Sequence, residues 1–381
     1  MTATSALAER PKIRTKDAVL DDIRARAAEF QALRHIPQDV VDDFKALGVY
    51  RAFVPQRFGG DALSPAAFCR LIEDISAANA SAGWVASFGV SATYLSTLPP
   101  ETYAAIFGQN PDTVFAGAMF PPQPARTVPG GYEVSGQWPW GSGVMGADIV
   151  GAGIKVDDND TKLPLIAVMP KDRVEVVDTW HTVGLAATGS HDIKVSGVVV
   201  PRDWTFVRGA RTTMDDRIFR YPSMALASQV LAVVALGAAR AALDNIHDNA
   251  ARQSVTGAPK PGARAYLQTE YAKARGVYLG AAHLFYDTLE EAWAELEHAP
   301  TVSRDTHIRL RMVASKAARD GAEAARMAFA LGGSAAIEVG HPLIRNMIDA
   351  ASVAQHAFLS EGTWTAAGAA FFDEPTMPGY P

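Results

Sequence analysis

One cysteine in 381 residues leaves no partner for an intrachain disulfide and no Cys-cluster metal site. Cys69 lies in a helix-like run, where a buried, small apolar role suits it. Positive charge is also short: 35 Lys and Arg against 41 Asp and Glu give a net charge of -6 with no basic stripe, which argues against a nucleic-acid partner. No window of about 18 uninterrupted apolar residues occurs, and the amino terminus lacks a basic segment followed by an apolar one. No membrane span or signal peptide is therefore expected, and a soluble, cytoplasmic protein is. The segment from Leu226 to Leu243 comes nearest to a span, but Ser228, Gln229 and Arg240 interrupt it, as in a buried bundle helix. Internal repeats and low-complexity runs are missing too.

The remaining texture changes twice along the chain. Residues 1–16 mix Thr, Ser, Pro and charge without a period and read as a flexible arm. Helical spacing over 17–110 predicts an N-terminal helical domain, in which Ser64-Pro65 is an N-cap and first helical residue and Ser81 to Leu98 form an apolar helix. Over 111–215, short Val-, Ile- and Gly-rich runs between Gly, Pro and Asp turns predict a small β-barrel or sandwich. Four long periodic stretches in 216–381, from Met224, Arg264, Ser303 and Leu343, predict an antiparallel four-helix bundle. The fold class expected is α+β.

Everything is arranged around Ser135-Gly136-Gln137-Trp138-Pro139-Trp140-Gly141-Ser142-Gly143. Two indoles, a proline and glycines beside a small hydroxyl either wall a flat ligand such as a flavin or make a tight hairpin over two core tryptophans. Gly141-Ser142-Gly143-Val144-Met145-Gly146 fits a dinucleotide-binding glycine pattern, but no helical period follows it, so a Rossmann turn is rejected.

Helices, a β domain, then a bundle, with a Trp-x-Ser corner in the middle, resemble the acyl-CoA dehydrogenase fold. Five matches occur in order: Val54-Pro55 with Gly59-Gly60; Ser81-Ala82-Gly83-Trp84; Pro121-Pro122 followed by the Trp-rich corner; Gly184-Leu185 with Thr188-Gly189-Ser190-His191-Asp192; and Asp349 with His356. Within that superfamily the chain resembles the reduced-flavin-dependent monooxygenases, oxygenase halves of two-component systems that hydroxylate phenols and indoles. Dehydrogenases of the fold use a glutamate in a Glu-Gly-Thr motif. Here Glu361-Gly362-Thr363 falls about one helical turn late, and His356 stands near the position of the dehydrogenase base. The alternatives are an acyl-CoA dehydrogenase or oxidase using Glu361, or a flavin-free binding protein.

The resemblance implies that Trp140 and Ser142 flank the isoalloxazine, with the Ser142 hydroxyl near flavin N5, where it protects a C4a-hydroperoxide from decay. It implies that His356 is the catalytic acid or base. Thr188, Gly189 and Ser190 are implied on the ribityl-phosphate side, and Gly332 and Gly333 where a neighbouring subunit approaches the pyrophosphate. Arg345 is implied either at the diphosphate or in a salt bridge. Trp84, Phe88, Phe120 and Phe358 are candidates for the pocket lining. No Arg or Lys joins that set, so a neutral, flat aromatic substrate is expected. Molecular oxygen, reduced FAD from a separate flavin reductase, with FMN as the alternative, and a homotetramer follow from the same resemblance. Ile348, Trp140 and Ala186-Ala187 depart from common family residues.

Overall fold

Side-chain caps set where several of the helices begin. The computed structural model describes residues 14–156, 164–212, 214–252 and 257–376. Residues 1–13 of the expected arm, and Leu163 at the start of one expected strand, lie outside them. The first helices are α1 (Lys16–Ala25), α2 (Ala27–Leu33) and α3 (Gln38–Ala46), followed by α4 (Pro65–Ala78). At the head of α4 the Ser64 hydroxyl accepts from the Ala67 N–H at 3.2 Å, and Pro65 takes the first helical position, where its missing N–H costs nothing. Asn79 ends α4 in extended backbone and caps α5 (Ala80–Ala86) by accepting from Ala82 N–H at 3.1 Å. The expected single helix from Ser81 to Leu98 is therefore three pieces: α5, a 3-10 turn over Ser87–Val90, and α6 (Ser91–Leu95). Hydroxyls of Ser87, Ser91 and Thr93 each bond a carbonyl three residues back, and this competes with continuous α-helix. After α7 (Pro100–Phe107) the chain enters the β region.

Seven strands follow: β1 (Phe115–Val128), β2 (Gly131–Trp138), β3 (Ile149–Lys155), β4 (Leu165–Pro170), β5 (Glu175–Val177), β6 (Asp192–Pro201) and β7 (Thr205–Val207). They form one mixed sheet in the order β5-β6-β2-β1-β3-β4-β7. The long β1 joins its two halves, running parallel to β3 at Phe115 to Ala118 and antiparallel to β2 from Ala125, with a register shift between Ala118 and Gln123. Sequence spacing predicts only a short strand here, because Pro121, Pro122 and Pro124 each lack a ladder N–H. Between the halves lies a core of Val134, Trp138, Val150, Ala152, Ile193 and Val195.

After α8 (Arg217–Arg220) comes α9 (Ser223–Asn249), the helix containing the near-span; it lies at the centre of the bundle and is buried on all sides from Ala225 to Ala239. It packs against α4, α11 (Arg304–Leu331) and α12 (Pro342–Val353), while α10 (Ala265–Glu295) lies against α11. Close approach to α4 requires glycine: a Cβ on Gly237 would stand 2.4 Å from Ser76 Cβ and 2.7 Å from the Glu73 carbonyl. Buried charge along this seam is matched. Glu73 accepts from Tyr278 Oη at 2.7 Å and from Tyr286 Oη at 2.5 Å, and Arg240 stands 3.3 Å away.

The fourth bundle segment departs from expectation. In place of a continuous helix from Leu343 to Phe371, α12 stops at Val353, a 3-10 turn spans Ala357–Leu359, and α13 (Glu361–Phe371) restarts after it. His356 is the residue before that turn.

Candidate active site

The Trp-rich corner divides its two indoles between different roles. Trp138 ends β2 fully buried, and its Nε1 donates to the Gly153 carbonyl at 2.8 Å, so it is a structural wall. Trp140 has φ +65 and is 64 % exposed, leaving its ring face available to a ligand. Backbone bonds pin the corner to the loop before β6: Gly141 N–H donates to the His191 carbonyl at 2.9 Å and Gly143 N–H to the Thr188 carbonyl at 3.0 Å.

Three buried hydroxyls then form a chain with a fixed direction. Thr188 Oγ1 donates to the Leu185 carbonyl at 2.9 Å, so its proton is engaged. Across the 2.6 Å contact Ser190 must donate to Thr188, and across the next contact, 2.5 Å, Ser142 must donate to Ser190. Ser142 Oγ therefore keeps its lone pairs for an incoming N–H. This polarity fits the N5–H edge of a reduced flavin, and the exposed face of Trp140 beside it fits a planar ring.

The loop revises the phosphate-binding reading of Thr188, Gly189 and Ser190. The two hydroxyls bond the protein, the Thr188 N–H donates to Leu185 and the Gly189 N–H donates to the Arg34 carbonyl at 3.0 Å. Those groups hold Ser142 in place. Asp349 on α12 secures the same loop by accepting from Leu185 N–H at 2.7 Å, and Ser81 does so by accepting from Ala187 N–H at 3.3 Å. Burial raises the Asp349 carboxyl to about 6, opposed by the Leu185 bond and by Arg345. Arg345 lines a small cleft with Asn79, Ser81, Ala187 and Asp349, and burial lowers its pKa.

A mutational expectation follows from Asp349. With a folded-state pKa above the usual carboxyl value, protonation favours the fold as pH falls from about 6 toward 4, and the charged form weighs against it above that window. Asp349→Asn keeps an oxygen for Leu185 and should match or exceed wild-type stability at neutral pH. Asp349→Ala leaves that N–H unpaired and should lose about 1–3 kcal/mol in denaturant melts. Equal melts for wild type and the alanine variant would show that the tie is idle.

His356 caps the 3-10 turn. Its Nδ1 accepts from Phe358 N–H at 3.2 Å, so the neutral ring carries its proton on Nε2. Its centroid stands 5.7 Å from Trp84 and 5.1 Å from Phe358, both edge-on. Burial, with a smaller contribution from the positive charge of Arg208, pushes its pKa down to about 4. Near neutral pH it is an uncharged donor. Gly143 of the corner lies against the segment that carries Trp84: a Cβ there would stand 3.6 Å from Phe88 and 3.7 Å from Val85.

Other expected residues lie apart. Phe120 on β1 is 51 % exposed and belongs to no core cluster or ring pair among the described residues, so it is not part of the Trp84, His356 and Phe358 group. Gly332 is required by its own chain, since a Cβ would meet Leu343 at 2.4 Å, whereas Gly333 at φ +66 faces open space. Glu361 starts α13 on the surface, its side chain 77 % exposed and ion-paired to Arg319 at 2.7 Å, unlike a buried catalytic base. The expectation that no cation stands near the pocket is corrected by Arg208, after β7, which is 7 % exposed and stacks on Tyr94, on the segment that carries Trp84. A lone arginine after a three-residue strand gives no signal in the sequence that separates it from surface neighbours such as Arg202.

Two domain families match the chain: acyl-CoA dehydrogenase N-terminal domain at residues 13–98 and acyl-CoA dehydrogenase C-terminal domain at residues 229–361. The chain is 50 % identical to an indole-3-acetate monooxygenase of Pseudomonas putida, over 99 % of this chain and 97 % of that protein. It is 27 % identical to the oxygenase component of an FADH2-dependent resorcinol hydroxylase from Rhizobium sp., over 92 % and 90 %. Its fold matches that of TdsC from Paenibacillus sp., solved with FMN and indole, at a TM-score of 0.82 and 20 % identity, covering 96 % of this chain and 98 % of that one.

Proposed function

The chain belongs to the flavin-dependent aromatic monooxygenases of acyl-CoA dehydrogenase fold, and from that premise we propose that its substrate is an indole bearing a short acid, indole-3-acetate or a close analogue. Reduced FAD, delivered by a separate reductase to a cytoplasmic homotetramer, completes the reading. The reduced flavin supplies the two electrons that allow one atom of molecular oxygen to enter the ring while the other leaves as water.

The chain's own residues have separate tasks. Ser142, its own proton held on Ser190, would accept from the N5–H of a bound reduced flavin, and Trp140 would cover one side of its ring. Trp84 and Phe358 hold the substrate plane next to His356, whose Nε2–H donates a hydrogen bond at the oxygen being transferred. The observation that carries the reading is this neutral, directionally fixed imidazole among aromatic rings, on the side of the fold reached by the Ser142 corner.

The test supplies chemically reduced FAD, labelled molecular oxygen and indole-3-acetate, and follows product mass. One oxygen atom from the gas in the product supports the reading; no product, or oxygen from water, overturns it. Reduced FMN in parallel assigns the flavin. The exposed apolar residues Leu279 and Leu284 on α10 and Phe371 and Phe372 at the end of α13 support assembly. Light scattering that reports a single chain would remove the tetramer.

A further inference from the structure

Arg208 is a buried cation whose side chain has no hydrogen-bonded partner among the described residues. Its side chain is 7 % exposed, and its Nε is buried and makes no hydrogen bond. Among the described residues no ion pair or side-chain hydrogen bond forms to its guanidinium, whose central carbon stands 3.4 Å from the centroid of the Tyr94 ring. At Glu73 and Arg240, by contrast, buried charge is paired. A ring face offsets only part of the cost of desolvating a guanidinium, and it leaves the donor fork open.

The surroundings of Arg208 indicate which anion fills that fork. Its backbone N–H is fixed to the Pro164 carbonyl at 3.1 Å, and the chain after it is held to the segment carrying Trp84 and Tyr94, because Thr212 Oγ1 donates to the Ser96 carbonyl at 2.7 Å. Tyr94, on whose ring the guanidinium stacks, lies on the segment that carries Trp84, so the fork lies on the side of the fold where the aromatic substrate is read to bind.

Resting on the function proposed above, we propose that Arg208 is the specificity residue of this enzyme: its guanidinium binds the substrate's carboxylate through paired hydrogen bonds and so sets the indole ring against Trp84 and His356. The carboxylate completes a charge pair that the folded chain leaves half-built. An acid side chain thereby becomes a requirement for tight binding rather than a tolerated appendage.

The experiment compares wild type, Arg208→Met and Arg208→Lys on indole-3-acetate and on 3-methylindole, which has the same ring and no carboxylate. Reduced flavin and oxygen are supplied throughout, and calorimetry measures equilibrium binding of each indole. Arg208→Met should raise the KM and Kd for indole-3-acetate about 30-fold or more, leave those for 3-methylindole within about twofold, and leave reduced-flavin affinity unchanged. Arg208→Lys should recover part of the loss, which also excludes simple misfolding. Equal losses on both indoles, a loss of flavin affinity, or an unchanged Kd for indole-3-acetate would each overturn the assignment, as would failure of the wild type to bind that acid. If wild type binds indole-3-acetate without hydroxylating it, the functional reading fails while the binding difference still decides the role of Arg208.

Discussion

Replacing His356 by glutamine is expected to lower ring hydroxylation by about a hundredfold or more, within the range that a positioned acid or base contributes, while reduced-flavin binding stays close to wild type. The imidazole is held by Phe358 N–H at Nδ1 and stands edge-on to Trp84, so its Nε2–H points from a fixed ring. A glutamine amide can donate, but it lacks a ring to be held by the same backbone bond. Product formation in single turnovers, with flavin affinity measured separately, checks this; normal yield from the variant would remove the histidine from the reaction. The pH profile gives a second check. With His356 pushed down to about 4 by burial, it remains neutral from pH 5 upward, and the rate should show no break near the ordinary imidazole value of about 6.5. The linkage has a definite sign: a folded-state value below the unfolded one means that stability is full above about 6.5 and declines as pH falls toward 4. The half-buried His307, also lowered to about 4, adds to that decline, whereas Asp349, raised to about 6, opposes it.

Much of this architecture is written in local chemistry. Ser64-Pro65 and Ser303 start their helices by capping, as their positions imply, and the long apolar period of α9 reads directly as a buried helix. Other features depend on tertiary contacts that the sequence does not display. Ala354, Gln355 and Ala357 favour helix, so the break around His356 has no Gly or Pro to announce it. It shows only once the ring takes the Phe358 N–H. Trp138 and Trp140 look equivalent two residues apart, yet strand alternation buries the first, while a positive φ turns the second outward. Arg208 was illegible for a related reason: burial without a partner is a property of the fold around a residue.

The break in the fourth segment also explains why the two candidate bases can be told apart. In a continuous helix, His356 and Glu361 would differ by little more than a turn, and their sequence positions alone would leave a small shift between them. With α12 ending at Val353, the histidine turns in among aromatic rings and the glutamate begins a new helix on the surface, beside Arg319. Glu361→Gln is therefore expected to leave hydroxylation unchanged.

The second large effect should appear in coupling, the fraction of reduced flavin that ends in hydroxylated product. Ser142→Ala removes the one acceptor that the hydroxyl chain leaves open, and coupling should fall about tenfold or more, with hydrogen peroxide making up the difference. The chain's direction makes a graded prediction. Ser190→Ala takes away the group that holds the Ser142 proton, so Ser142 turns freely and its lone pairs lose their aim; coupling should fall by less, about the several-fold expected from one hydrogen bond. Thr188→Val acts one link further away and should cost less again. Product and peroxide, both quantified per flavin oxidised, give the order directly. If Ser190→Ala proves more damaging than Ser142→Ala, the acting hydroxyl is Ser190 and the polarity assigned from the Leu185 carbonyl is reversed.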